Sequence, residues 1–271
     1  MRKILLALIL SFSIVAFSKE YNVYLGGGFN FFNDNGHLNQ IKNQDDFKKF
    51  VEVANKKKDN HFDKSNFNVK LEITKNLTKN IEIGVGGKFI HNAPFTYSVN
   101  KEDYPRNSQD DDAQKIKELD KFGFSITSSI YNSIPIYATL KYKFKDNSKE
   151  LRPYVKVDLG YSFNIGVKKP KFEYIVEGNK NKQYNGKDLK SSFDKIKKKF
   201  DDMKVTSKNG IYAGLFAGVE YKNVFLEVGG TYNGGAIIVN YSESGTRSPQ
   251  NKTIYINSGD FKLSTNIGIK F

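Results

Sequence analysis

Five carboxylates and four lysines sit at alternate positions within otherwise apolar or small-residue stretches. They are Glu72, Glu82, Asp158, Glu220 and Glu227, with Lys141, Lys143, Lys156 and Lys270. Ions confined to one parity of an alternating segment share one face of a strand. Three kinds of chemistry fit such a face. Paired carboxylates with separated protonation equilibria do general acid–base work. A line of mixed charge conducts ions. Ions removed from bulk water also pair and fill space, because an unpaired ion in a low-dielectric interior is costly. Five acids against four lysines nearly cancel, which favours an interlocked salt-bridge plug. Nothing else in the sequence supplies a substrate pocket, so no catalytic residue is assigned.

The remaining reactive groups are sparse. The three histidines are His37, followed by Leu-Asn, His61, followed by Phe-Asp, and His91, followed by Asn-Ala. None forms a His-x-Ser pair, and they are too scattered to propose a metal site. Cysteine is absent, which excludes a disulfide scaffold, thiolate metal ligands and a lipid-modified N-terminal cysteine. Gly26-Gly27-Gly28 lies in an alternating segment with no helix after it, so it is no phosphate loop. The expectation is a protein that is not an enzyme and carries no cofactor.

A second group of residues has helical spacing. GKDLKSSFDKIKKKFDDM, 186–203, places Leu189, Phe193, Ile196, Phe200 and Met203 on one side of an amphipathic helix. DDFKKFVEVANKKK, 45–58, and DDAQKIKELDKF, 111–122, carry shorter stripes (Phe47, Phe50, Val51 and Ala54; Ala113, Ile116 and Leu119). Such stripes pack on one another or over a neighbouring surface; they also make partner- or membrane-facing surfaces. Leu189, Phe193, Ile196, Lys197, Lys198 and Phe200 are therefore the candidate surface-interaction residues. The lysines of this segment suit lipopolysaccharide phosphates or acidic host polymers.

The elements that must hold these groups are strands. Strict alternation runs through 21–31, 67–74, 81–89, 136–144, 155–163, 211–221, 224–232 and 261–271. Each extends over about nine to twelve residues, the length of a tilted bilayer-spanning strand. Connections at 75–80, 145–150 and 222–223 are short; those at 34–65, 91–133, 165–209 and 234–259 are long. Short turns on one side and long loops on the other mark an all-β, eight-stranded antiparallel transmembrane β-barrel with four long extracellular loops containing short helices. An even strand number lets the first strand pair with the last. Aromatics test the idea separately. Tyr21, Tyr142, Phe144, Tyr221 and Phe271 fall at the lower strand ends, and Phe29, Phe31, Phe67, Phe89, Tyr161, Phe163, Tyr232 and Phe261 at the upper ends. Aliphatic residues lie between, as expected of two interfacial girdles. The inward glycines are expected to leave room for the long charged side chains. A soluble lipocalin-like barrel is the alternative fold, with the two faces reversed.

The N-terminus sets the compartment. Arg2 and Lys3 precede an apolar run from Ile4 to Phe17, and Ala16-Phe17-Ser18 fits a cut before Lys19. Residues 1–18 are expected to be a signal peptide and 19–271 the barrel domain. The formal charge of +14 invites a nucleic-acid reading, which export removes.

The terminal FKLSTNIGIKF ending in Phe271, the RPYVKVDLGYSF segment at 152–163 and the SIPIYATLKYKF segment at 133–144 resemble the small eight-stranded outer-membrane barrels of the OmpA transmembrane-domain, OmpX and Opa type. The resemblance covers the strands and not the loops. It implies a Gram-negative outer-membrane location, contact with outer-membrane lipid and lipopolysaccharide, and Phe271 as the terminal aromatic read by the barrel-insertion machinery. OmpA has a further periplasmic peptidoglycan-binding domain; the chain stops at its last strand, so that role is not expected. Expected, then, is a monomer with a structural or adhesin-like role toward host or other-cell surface molecules. A small porin-like channel and a lipid-modifying outer-membrane enzyme are the alternatives.

Overall fold

The computed structural model describes residues 20–32, 66–103, 115–116, 118–128, 131–144, 151–178, 186–243, 250–257 and 259–271. The expected signal peptide, the expected helix at 45–58, His37 and His61 lie outside them. So do residues 111–114 and 117 of the expected helix at 111–122.

Eight of the strands form a single closed barrel. They are β1 (Tyr21–Phe32), β2 (Asn66–Asn76), β3 (Ile81–Ile90), β6 (Asn132–Lys143), β7 (Leu151–Ile165), β10 (Gly210–Tyr221), β11 (Val224–Asn233) and β14 (Asp260–Lys270). Their order around the wall is β1-β14-β11-β10-β7-β6-β3-β2. Every pairing is antiparallel, and closure is made by β1 against β14, with Leu25 opposite Ile269. The final residue belongs to that seam: the Phe271 N–H donates to the Val23 carbonyl at 2.9 Å. On the short-turn side, Lys222 adopts φ 52 in a two-residue link between β10 and β11, the positive φ that a tight hairpin of the strands' own twist requires. On β7, Gly160 is obligatory for close approach: a Cβ there would fall 2.1 Å from the Ile136 carbonyl oxygen.

Polarity is inverted relative to a water-soluble barrel. Leu25, Val85, Leu140, Val157, Leu215 and Ile267 point outward with 38–62% exposure, while Glu72, Glu82 and Asp158 are 0–1% exposed. A continuous apolar wall of this extent is incompatible with a water-facing surface. Both aromatic girdles lie on that wall, including Tyr142 and Phe144 with ring centroids 5.3 Å apart below, and Tyr161 and Phe163 at 5.4 Å above. The protein is an eight-stranded outer-membrane β-barrel.

Above the barrel, the long connections are not merely loops with helices. Six further strands build two small sheets. One has the order β4 (Phe95–Asn100), β5 (Lys121–Ser128), β8 (Lys171–Glu177); the other has β13 (Gln250–Asn257), β12 (Ala236–Glu243), β9 (Lys204–Lys208). The helix expected over 186–203 is present as α1, Lys187–Asp202. Its apolar stripe closes on the first sheet, making a core of Val99, Ile116, Leu119, Phe122, Phe124, Phe172, Phe193 and Phe200.

Candidate functional site

The lumen is built by strand parity, and its short-turn end is ionic. Glu82 near the start of β3 and Glu220 near the end of β10 share three lysines. Glu220 lies 2.9 Å from Lys141, 3.4 Å from Lys143 and 3.4 Å from Lys270. Glu82 lies 3.7 Å from Lys141 and 3.8 Å from Lys270, and is paired with Lys143 as well. The Tyr24 hydroxyl sits 2.9 Å from Glu82 and 2.8 Å from Glu220. One step deeper, Lys156 reaches Glu72 at 2.6 Å, Glu227 at 3.2 Å and Asp158 at 3.4 Å. Lys70 completes this cluster at 2.5 Å from Glu227 and 3.3 Å from Glu72. Three lysines and two glutamates leave +1 in the first cluster; two lysines and three carboxylates leave −1 in the second. The two sums cancel, which removes the long-range cost of burying ten ions together.

All nine residues read from the sequence as a lumen network are brought together here. The reading missed Lys70 and Lys88, which share the same parity. Lys88 is 2% exposed and its Nζ has no hydrogen-bond partner among the described residues; it lies 5.1 Å from the centre of the Phe216 ring. The reading also missed the aromatic share of the filling. Lys141 lies 3.5 Å from the Tyr24 ring centre and 4.5 Å from that of Tyr154, a desolvated cation–π arrangement. The inward glycines do not chiefly make room for charged chains. A Cβ at Gly26 would meet the Phe225 ring at 2.6 Å, at Gly86 the Tyr137 ring at 2.7 Å, and at Gly218 the Tyr154 ring at 2.4 Å. Flat rings lie on bare backbone because an eight-stranded interior holds little else.

The upper lumen is filled by amides and hydroxyls. Asn233 donates to Ser133 at 2.7 Å, and Ser133 donates to Asn164 at 2.9 Å. Asn68 and Ser264 donate to Asn30 at 3.1 and 2.6 Å. Lys262 reaches Asn92 at 2.9 Å. This layer is tied to the structure above it, since the Asn164 amide donates to the carbonyls of Lys208 and Gly234 at 2.9 and 3.1 Å.

The proposed interaction residues divide. Lys197 and Lys198 are exposed. Phe193 and Phe200 are 3% and 4% exposed and stack in the sheet core, with Leu189 and Ile196 partly buried against it. This corrects the reading of the apolar stripe as an accessible surface: Phe193 lies 5.3–5.9 Å from four aromatic rings, and that burial outweighs any exposed role. His91 packs beside the Phe67 ring at 4.9 Å. Among the described residues, no group of three or more His, Asp or Glu is arranged to hold a metal ion. Two open concavities lie outside the lumen. One, of about 690 Å³, is on the lipid-facing wall around Ile73, Ile83 and Leu140; the other, of about 490 Å³, lies along β8.

No family model matches the chain. An uncharacterized protein of Pasteurella multocida is 29% identical over 161 residues, and the chain spans 59% of that relative's length, matched by 59% of its own. The N-terminal β-barrel domain of Pseudomonas aeruginosa OprF is similar at a TM-score of 0.35 and 10% identity, over 93% of this chain and 98% of that one. Neisserial surface protein A is similar at 0.34 and 13%, over 93% and 97%. Outer membrane protein AlkL is similar at 0.33 and 11%, over 93% and 90%. The barrel rests on its own closed ladder and inverted polarity.

Proposed function

We propose that the protein is a plugged outer-membrane barrel whose task is to hold a folded cap at the cell surface for contact with other molecules. One observation carries this reading. The lumen at the level of Lys156 is occupied by a cation within 3.4 Å of three carboxylates, all 0–1% exposed, leaving the ions to each other rather than to a permeant. The cap supports the second half of the reading, because loops without a role in contact have no need of two sheets and an aromatic core. On α1, Lys190, Lys195, Lys197 and Lys198 are exposed and suit phosphate-bearing lipopolysaccharide beside the barrel. The protein acts as a monomer in this reading, without catalysis.

Planar-bilayer recording tests it. Refolded protein should give no sustained current, and steady ohmic single-channel steps would overturn the plug in favour of the channel. Lipid A from a deletion strain should match that of the parent. A changed lipid A restored by complementation would instead make the barrel a lipid-modifying enzyme.

A further inference from the structure

Among the described residues the cap has an unpaired strand edge with a built wall beside it. In the first sheet β8 is last in order, and among the described strands it pairs with β5 only. Its sequence, KFEYIVE, is rich in β-branched and aromatic residues and has no proline or bulge within it to discourage pairing. A groove of about 490 Å³ runs along this edge, lined by Glu173 to Glu177 from the strand and by Lys190 and Lys197 from α1. Seven residues apart on a helix, the two lysines stand about 10 Å from each other along the wall.

The charges in the groove are unevenly satisfied. Glu177 is paired with Lys121 at 2.9 Å, and Glu173 is paired with Lys171. Asp194, between the two lysines on the helix, accepts the Tyr174 hydroxyl at 2.5 Å. Lys190 and Lys197 are exposed, and no carboxylate among the described residues lies within ion-pair distance of either. The open donors and acceptors of a strand edge are recognised by another extended backbone. The lysines along one side select what its side chains carry.

We propose that the edge of β8 is a docking site for an extended acidic polypeptide segment of another molecule, which adds as a fourth strand with its carboxylates toward Lys190 and Lys197. This deepens the surface-contact reading and rests on it. Lipopolysaccharide phosphates could meet the lysines but not the backbone edge, so the strand geometry decides for a polypeptide.

The test uses the whole barrel refolded in lipid nanodiscs and a fluorescent peptide of about nine residues alternating Glu and Val, long enough to cover β8. The control peptide has the same charge with prolines at two central positions. The alternating peptide should bind, and the proline-bearing one should not. Charge reversal of both lysines, Lys190→Glu with Lys197→Glu, should weaken binding by about tenfold or more. Amide exchange should slow along 171–177 on binding. Failure to bind overturns the proposal. So does equal binding of the two peptides, which would be attraction of charge alone, or an unchanged affinity in the reversed variant. Dimerisation of the peptide-free protein with protection at 171–177 would give the edge to a second copy instead. Both lysines are exposed, so the variant keeps its fold, checked by unchanged circular dichroism. The bilayer recording is independent: a failed peptide experiment with no current leaves the plugged barrel standing and removes this site.

Discussion

Substituting Lys156 by Met probes the lumen most directly. Its ammonium lies 2.6, 3.2 and 3.4 Å from the carboxylates of Glu72, Glu227 and Asp158. At an effective dielectric of about 20, those separations correspond to roughly 6, 5 and 5 kcal/mol of attraction. Repulsion from Lys70, which shares two of the acids, and the several kcal/mol needed to desolvate the ammonium cancel most of that sum. What remains is the cost of leaving acids unpaired. Asp158 loses its one ion pair among the described residues, and Glu72 and Glu227 must share Lys70. The expected loss is about 3–5 kcal/mol, the range for breaking a buried pair. The chain has no tryptophan, so urea unfolding in detergent micelles is followed by far-ultraviolet circular dichroism. Adding Glu72→Gln to the variant should recover part of the loss by removing a surplus charge. Lys75→Ala is the control, because its pair with Glu20 is 52% and 68% exposed and should leave stability unchanged. A loss below about 1 kcal/mol in the Lys156 variant would refute the reasoning. It would mean that water screens these ions as it screens a surface pair, and a wet lumen is not a plug.

Gly160→Ala should cost about 1–3 kcal/mol or prevent refolding. The new methyl would meet backbone on the neighbouring strand, 2.1 Å from the Ile136 oxygen and 2.5 Å from the Tyr137 Cα. Gly87→Ala, whose methyl has nothing nearer than 3.9 Å, should stay within about 0.5 kcal/mol in the same titration. Phe193→Ala removes a ring 3% exposed and should destabilise the cap by about 3–5 kcal/mol. Limited proteolysis should then cut within 187–202 while the barrel's circular dichroism holds; simultaneous loss of both would show cap and barrel to be one cooperative unit. The Tyr174 hydroxyl is pushed up to about 12 from an ordinary 10, chiefly because it donates to Asp194. The stability it lends is full below the ordinary value and is lost as pH rises through about 12. Tyrosinate absorbance of wild type minus Tyr174→Phe should show this late titration, and Asp194→Asn should bring it down.

The barrel was legible because period two has one solution when ions occupy a single parity. Once Glu72 faces inward, Leu71 and Ile73 must face out, and a slip of one residue would exchange the whole sets. Closure followed from counting strands. The cap sheets were not legible, although KFGFSITS and KFEYIVE alternate too. Phe124 pairs with Tyr174 across fifty positions of sequence, and no local turn signal marks so distant a partner. The helix that follows β8 was readable because its spacing is local. Its role was not: an apolar stripe on a helix looks the same whether it meets a partner or a sheet of the same chain. In the lumen, Lys70 and Lys88 carried the parity signal of the other ions and needed only to be counted. The aromatic filling also carried it, since Tyr24, Tyr137, Tyr154, Tyr212, Phe216 and Phe225 alternate in step with the charges. What sequence does not give is which ring lies on which glycine, because that depends on the stagger of strands around the wall.

The two kinds of lumen filling have different consequences. The ten clustered ions of the ionic half sum to zero and are capped by Tyr24, Tyr137 and Tyr154, whose hydroxyls lie 2.8–3.1 Å from Glu220, Glu72 and Glu227. This half fills the short-turn end, and among the described residues its ion pairs reach only other residues of the barrel wall. The amide half fills the lumen and also reaches the cap. Asn164 accepts from Ser133 inside the barrel while its amide holds the Lys208 and Gly234 carbonyls outside it, and Ser207 donates back to the Asn164 carbonyl at 2.7 Å. The second sheet therefore stands on the lumen filling itself. A transmembrane pore would need this upper layer to part, and parting it would cut β9 and β12 loose from the barrel. Conduction and a fixed cap thus compete for the same residues. Asn164→Ala separates them: a cap that loosens in amide exchange over 204–208 and 236–240 without any current places the layer's purpose in holding the surface structure. Current with an undisturbed cap would assign it to gating.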